Sequence, residues 1–146
     1  TGENSNHNNV TYGDGIYKSE DGGKSWKNMG LEESQHIGGI AIDPNNTNIV
    51  YVAAMGALRT SGGDRGIFKT EDGGKTFRTL YGMHADHHGL WIDPDNSDYL
   101  VNVNDGGVAI SYDGGRNWRT FYKNLPLVQF FNVMYDMDNP FRVYFD

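Results

Sequence analysis

The octapeptide SEDGGKSW at residues 19–26 recurs as TEDGGKTF at residues 70–77 and as SYDGGRNW at residues 111–118. Each copy combines a hydroxyl residue, an aspartate two positions later, a glycine pair and a closing aromatic residue. The carboxylate can bond the backbone of a tight turn, and the aromatic ring can fold back onto a core. We therefore expect three structural hairpin turns. Their defining positions are Asp21, Gly23 and Trp26, then Asp72, Gly74 and Phe77, then Asp113, Gly115 and Trp118.

The spacing of the octapeptides indicates stacked repeats. Asp21, Asp72 and Asp113 are separated by 51 and 41 residues, a period typical of propeller blades. Between them, short β-rich segments alternate with Asp-Pro turns at Asp43 and Asp93. This pattern predicts an all-β protein of four-stranded antiparallel meanders, with about three blades' worth of chain in one propeller segment, 1–146. Its expected parts are a half blade at 1–29, blades at 37–80 and 87–122, and a half blade at 130–146.

Three blades are too few for an ordinary closed ring, because propellers typically have about four to eight blades. An open ring would leave apolar blade faces uncovered. We therefore expect the chain to belong to a larger propeller that is completed by further blades or by additional chains.

Composition excludes several classes of function. The 146 residues carry a formal charge of -7, which argues against a nucleic-acid partner because phosphate binding needs a basic face. The chain has no cysteine, so disulfides and thiolate metal sites are ruled out. It has no run of about 20 apolar residues, so we expect no membrane insertion.

The octapeptides resemble the Asp box, or BNR repeat, whose usual form is Ser-x-Asp-x-Gly-x-Thr-Trp. The segment YGDGIYK at residues 12–18 and the Asp-Pro turns after the strands at Asp43 and Asp93 resemble sortilin or VPS10-type propellers, especially bacterial proteins labelled as BNR-type glycosyl hydrolases. Phe77 and Asn117 replace the usual Trp and Thr, and both are compatible with the turn. The resemblance implies a propeller over nearly the whole chain. It does not select one function, because Asp boxes also occur in sialidases, xyloglucan hydrolases, photosystem assembly factors and sorting receptors.

A four-stranded meander has two distinct ends. The turns after the first and third strands share one side, here called the box face, and the connections after the second and fourth strands share the other, the loop face. Loops on a rigid scaffold usually carry binding, so we expect a site on the loop face. The predicted binding residues are His84, Asp86, His88, Arg59, Arg65, Asn104 and Asp105.

Three histidines and an aspartate crowd residues 84–88. In an extended segment His84, Asp86 and His88 would point the same way, and these residue types can hold zinc or another divalent ion. The alternative is that they bond the backbone and one another at the start of an inner strand, and the sequence favours this structural role. Apart from this candidate metal ion we expect no cofactor.

Glycoside hydrolysis requires two carboxylates about 5 to 10 Å apart. The octapeptide aspartates lie on separate blades, and the loop-face candidates Asp86, Asp64, Asp105 and Asp14 have no spacing that marks a pair. The arginine pattern of sialidases is absent, so we do not expect sialidase activity. Two hypotheses remain. The favoured one is a noncatalytic module that binds protein or glycan through the loop face, secreted, periplasmic or on a bacterial surface. The other is a glycoside hydrolase in which Asp86 acts with a carboxylate from another blade.

Overall fold

The computed structural model describes residues 2, 11–121, 133–135 and 142–145. Within the predicted half blades, residues 1, 3–10, 130–132, 136–141 and 146 lie outside the described residues. No helix among the described residues is long and apolar enough to cross a membrane.

The described chain folds into antiparallel hairpins and meanders, which confirms the predicted all-β class. A first hairpin flanks the first octapeptide, and a 3-10 turn follows at Glu32–Ser34. Two four-stranded sheets and a last hairpin come next, each with its strands in chain order. The N-terminal half blade comprises β1 (Tyr17–Lys18) and β2 (Lys27–Asn28). The first blade comprises β3 (Ile37–Ile42), β4 (Val50–Ala54), β5 (Gly66–Thr70) and β6 (Arg78–Leu80). The second blade comprises β7 (His87–Ile92), β8 (Leu100–Asn104), β9 (Gly107–Ser111) and β10 (Arg119–Phe121). The C-terminal half blade comprises β11 (Val133–Tyr135) and β12 (Val143–Phe145).

Strand alternation divides the core into layers between units. Successive side chains of a strand point to opposite faces, so in β4 Tyr51 and Ala53 face the second blade while Val52 faces the N-terminal half blade. Between the two blades, Ile67 packs in one cluster with Leu100, and both are fully buried. Burying each such side chain contributes about 1.5 to 3 kcal/mol.

The first strands of the two blades, β3 and β7, lie against each other. We call this contact between the blades the hub. Each has a register shift where it begins, between Ile37 and Gly39 and between His87 and Gly89. The approach at the shift is close: a Cβ on Gly38 would lie 2.6 Å from the His87 carbonyl oxygen. Glycine is therefore required where the two bulges meet.

Candidate binding face

Each octapeptide is closed by its own aspartate, as the second copy shows. The Asp72 carboxylate accepts hydrogen bonds from the amides of Lys75 at 2.9 Å and Thr76 at 3.0 Å, and from the Thr76 hydroxyl at 2.6 Å. The Thr70 hydroxyl donates to the same carboxylate at 2.7 Å and accepts from the Gly74 amide at 2.9 Å. All of these bonds lie within one octapeptide, so the Asp72 carboxylate stabilises the turn to which it belongs.

The other two aspartates repeat this arrangement. Asp21 accepts from the Ser25 hydroxyl at 2.6 Å, and Asp113 accepts from the Asn117 side-chain amide at 2.7 Å. Hydrogen bonds from Ser25, first through its hydroxyl and then through its amide, lower the pKa of Asp21 to about 2. The backbone amide of Asn117, followed by its side chain, lowers the pKa of Asp113 to about 2. Hydrogen-bond donors favour the ionised form of these carboxylates, so both stay charged and bonded within their own turns.

The closing aromatic residues have different environments. Phe77 packs against the layer between the N-terminal half blade and the first blade, and Trp118 packs against the layer between the two blades. The sequence predicts that Trp26 folds onto a core as well, but its side chain is 61% exposed. Its indole nitrogen still donates to the Gly23 carbonyl at 3.1 Å. The ring is exposed because no described blade lies on the side that the other two aromatic residues use.

The octapeptides and Asp-Pro turns share one side of the molecule, as the topology predicts. The Gly73 amide donates to the Asn48 carbonyl at 3.0 Å, and the Gly114 amide donates to the Asp98 carbonyl at 3.0 Å. The two Asp-Pro turns also meet, since Asn45 donates to the Ser97 hydroxyl at 3.0 Å. The box face is thus a network of turn-to-turn bonds.

A cavity of about 710 Å³ opens on the loop face, between the N-terminal half blade and the first blade. Three chain segments form it: the stretch before β1, the connection from β2 to β3, and the connection from β4 to β5. It has an aromatic ring from Tyr12, which is 70% exposed, and its walls carry carboxylates, an amide and hydroxyls. The lining residues are Tyr12, Gly13, Asp14, Glu32, Glu33, Gln35, Ala57, Thr60, Ser61, Gly62 and Gly63.

Hydrogen bonds to the backbone hold the cavity walls together. The Asp64 carboxylate accepts from the Glu33 amide at 3.1 Å, and the Gly13 amide donates to the Gln35 carbonyl at 2.8 Å. The Asp14 carboxylate accepts from the Tyr17 hydroxyl at 2.8 Å. The Asp64 carboxylate, a predicted catalytic candidate, therefore holds the backbone of the cavity wall at Glu33 and does not line the cavity itself.

The cavity does not use the predicted binding residues, but Asp14, a predicted loop-face carboxylate, lines it. Glu32, Glu33 and Gln35 follow the last strand of the N-terminal half blade, so the rule that assigns connections to the loop face also covers them. Their position in that connection is the sequence feature that could have predicted them as binding residues. Tyr12 had no comparable signal, because the exposure of its ring depends on how the segments meet.

Most of the predicted binding residues form a second group on the loop face, the hub cluster of Arg65, His84, Asp86, His88 and Asp105. An Arg65 nitrogen lies 3.8 Å from an Asp86 carboxylate oxygen, and the Asp86 amide donates to a His84 ring nitrogen at 3.4 Å. His88 Nε2 lies 2.5 Å from the Asp105 carboxylate. The Asp105 amide donates to the Asp86 carbonyl at 3.1 Å, which connects the Arg65–Asp86 pair to the His88–Asp105 pair.

The buried side-chain amides of Asn102 and Asn104 form hydrogen bonds next to the hub cluster. His87 Nδ1 lies 3.0 Å from the Asn102 side-chain oxygen, which also accepts from the Asn104 amide at 2.8 Å. Burial lowers the pKa of His87 to about 4, so this imidazole is neutral near pH 7 and donates from Nδ1. Asn104 thus lies beside the cluster, whereas Arg59 is exposed on the connection between β4 and β5.

His87 and His88 bond to neighbouring side chains, and His84 accepts a hydrogen bond from the Asp86 amide. His88 faces Asp105, and Asp86 faces Arg65. In the part of the chain that the structure describes, no three His, Asp or Glu side chains are placed to hold a metal ion. The bulge at His87 and Gly89 interrupts the strand alternation that would have pointed His84, Asp86 and His88 the same way.

Solved structures with a similar fold are propeller enzymes. A GH74 enzyme from Niastella koreensis superposes with a TM-score of 0.65 at 23% identity, covering 87% of this chain and 22% of that one. An ancestral GH74 enzyme gives 0.60 at 18% identity, covering 73% and 15%, and the GH74 xyloglucanase from Xanthomonas campestris gives 0.55 at 20% identity, covering 75% and 18%. At these identities the likeness concerns the fold. The chain spans less than a quarter of the length of each.

A search of curated proteins finds no match to the chain. The sequence does match the family Sortilin-Vps10, described as sortilin, neurotensin receptor 3, over residues 14–142. That range contains the three octapeptides and both blades. The chain therefore belongs to the Sortilin-Vps10 family of Asp-box propellers.

Proposed function

We propose that the chain is a noncatalytic propeller module that binds a glycan in the loop-face cavity. The observation that carries this proposal is the cavity itself, whose volume of about 710 Å³ suits a small ligand. On the box face, in contrast, hydrogen bonds join the turns to one another, and the cavity beside Lys18 is smaller, about 430 Å³.

The chemistry of the cavity suits a sugar. The exposed ring of Tyr12 offers a flat apolar surface for a pyranose face, with a hydroxyl at its edge. Glu32, Glu33 and Gln35 offer oxygens and an amide to sugar hydroxyls, and Thr60 and Ser61 add hydroxyls. One protein of similar fold is a xyloglucanase, so xyloglucan oligosaccharides are the first ligands to test.

Binding is favoured over hydrolysis because the predicted catalytic candidates Asp64, Asp105 and Asp86 have structural partners. Asp64 holds the Glu33 amide, Asp105 faces His88, and Asp86 faces Arg65. A glycosidase needs two carboxyl groups flanking the scissile bond, one of them as proton donor. A binding module needs no such pair.

Calorimetric titration with xyloglucan oligosaccharides tests the proposal. We expect saturable binding to the parent chain and an affinity about tenfold lower for Tyr12→Ala, the change expected for about 1.4 kcal/mol of lost ring contact. Tyr81→Ala is the matched control, because Tyr81 is 80% exposed and lies outside the cavity. Equal effects of both substitutions, or no binding by the parent, would contradict the proposal.

A reducing-end assay on the same mixtures separates binding from hydrolysis. We expect no release of new reducing ends by the parent chain. Asp86→Asn should leave its affinity within a few-fold of the parent value. Turnover by the parent that Asp86→Asn abolishes would establish the hydrolase instead.

A further inference from the structure

The two blades differ in the connection between their second and third strands. In the second blade, Asp105 and Gly106 join β8 to β9. In the first blade, the corresponding connection between β4 and β5 spans residues 55–65. The blade fold does not need this length, because two residues are enough to join the same pair of strands. We call residues 57–63 the cavity loop, because it contains these lining residues of the loop-face cavity: Ala57, Thr60, Ser61, Gly62 and Gly63.

The end of the cavity loop is fixed to the connection between β2 and β3. The Asp64 amide donates to the Glu33 carbonyl at 3.3 Å, and the Asp64 carboxylate accepts from the Glu33 amide at 3.1 Å. A Cβ on Gly63 would lie 2.7 Å from the same Glu33 carbonyl oxygen, so this close contact requires a glycine. Two of the segments that form the cavity are thus bonded to each other.

Arg65 fixes the start of the cavity loop. Its guanidinium donates to the carbonyl of Ala57, and the other terminal nitrogen lies 3.8 Å from the Asp86 carboxylate. The stem of the side chain runs past Gly56, where a Cβ would lie 3.1 Å from Arg65 Cβ and 3.2 Å from Nε. Because the guanidinium donors form a rigid fork, one side chain can hold two partners at once. Arg65 therefore connects the cavity loop to the hub cluster.

We propose that Arg65 is a positioning residue for ligand binding, which holds the cavity loop in the shape that the ligand meets. This inference rests on the proposed function, since it concerns the same cavity. Arg65 does not line the cavity, so it acts through the backbone of Ala57. A wall that is ordered in advance reduces the conformational entropy that binding must remove, and this raises the affinity. The hub cluster anchors the loop through Asp86.

Backbone ¹⁵N relaxation of the chain without ligand tests the positioning. In the parent we expect the amides of Gly62 and Gly63 to be as ordered as those of β4 and β5. In Arg65→Ala the two loop amides should become mobile on the nanosecond timescale, while the strand amides stay ordered. Arg78→Ala is the matched control, because Arg78 has a similar ion pair, 3.7 Å from Glu71, and lies outside the cavity. It should leave the loop unchanged.

Calorimetric titration with xyloglucan oligosaccharides measures the effect on binding. We expect Arg65→Ala to lower the affinity about tenfold and Arg78→Ala to leave it unchanged. A second pair of variants applies even if Arg65→Ala does not fold. The asparagine oxygen of Asp64→Asn can still accept from the Glu33 amide, so this variant should keep the parent affinity. Asp64→Ala loses that bond and should bind about fivefold more weakly.

The outcomes separate this inference from the proposed function. If the parent binds and both Arg65→Ala and Asp64→Ala bind equally well, the inference is wrong and the proposed function stands. The same holds if Arg65→Ala lowers the urea midpoint of unfolding but leaves loop mobility and affinity unchanged, because the role of Arg65 is then structural only. A parent chain that binds no oligosaccharide would overturn both.

Discussion

Replacing Gly38 by alanine tests the packing of the inner strands at the hub. The new methyl group would lie 2.6 Å from the His87 carbonyl oxygen and 3.1 Å from that of His88, where ordinary contact begins near 3.4 Å. One strand must therefore move by roughly 0.8 Å, and overpacking of this kind costs about 1 to 3 kcal/mol. Reduced freedom of the unfolded chain returns about 0.4 to 1 kcal/mol. We expect Gly38→Ala to lower the free energy of unfolding by about 1 to 2 kcal/mol.

The neighbouring glycine provides the control. A Cβ on Gly39 would find its nearest atom at 3.9 Å, so Gly39→Ala should be neutral or slightly stabilising. Urea unfolding followed by tryptophan fluorescence and by circular dichroism measures both variants, and the melting temperature of Gly38→Ala should fall by roughly 3 to 8 °C. If Gly38→Ala and Gly39→Ala unfold at the same urea concentration, the two blades do not meet at the hub as described.

Three further predictions concern the stability of the chain. The pKa of His87 is about 4 in the folded chain and about 6.5 in the unfolded chain, so the unfolded chain takes up the proton first as the pH falls. The free energy of unfolding should therefore fall by about 3 kcal/mol between pH 6.5 and pH 4, and His87→Gln should lack this slope. The pKa of Asp113, lowered from 3.8 to about 2, implies stability that is present above pH 4 and lost as the pH falls toward 2, so urea midpoints of Asp113→Asn should change less than those of the parent in that interval. Tyr51→Phe should lower the unfolding free energy by about 1 kcal/mol at neutral pH because the Gly114 carbonyl loses one donor, whereas the exposed Tyr112→Phe should leave it unchanged.

The octapeptides could be interpreted from sequence because their interactions are local. Asp72, Thr70 and Thr76 are within seven residues of one another, and the bonds among them define the turn wherever the blade lies. The spacing of the copies and the Asp-Pro turns then indicated the four-stranded meanders. The separation of box face and loop face followed from antiparallel topology alone.

The binding face was only partly predictable. The loop-face cavity joins Tyr12, Glu33 and Thr60, which are far apart in sequence and meet only because neighbouring units are rotated about the hub. The pairing of His88 with Asp105 depends on a bulge that strand alternation does not reveal. The exposure of Trp26 depends on which blade lies beside it, and no local pattern records that.

Mapping a bound glycan by amide chemical shifts in a ¹⁵N-labelled chain tests the central claim most directly. The claim is that the loop-face cavity binds ligand while the octapeptides hold the blades together. It predicts that a xyloglucan oligosaccharide shifts amides at residues 12–14, 32–35 and 57–63, and leaves those of Gly73 and Gly114 unchanged. Shifts confined to the octapeptide glycines, with none around the cavity, would contradict it.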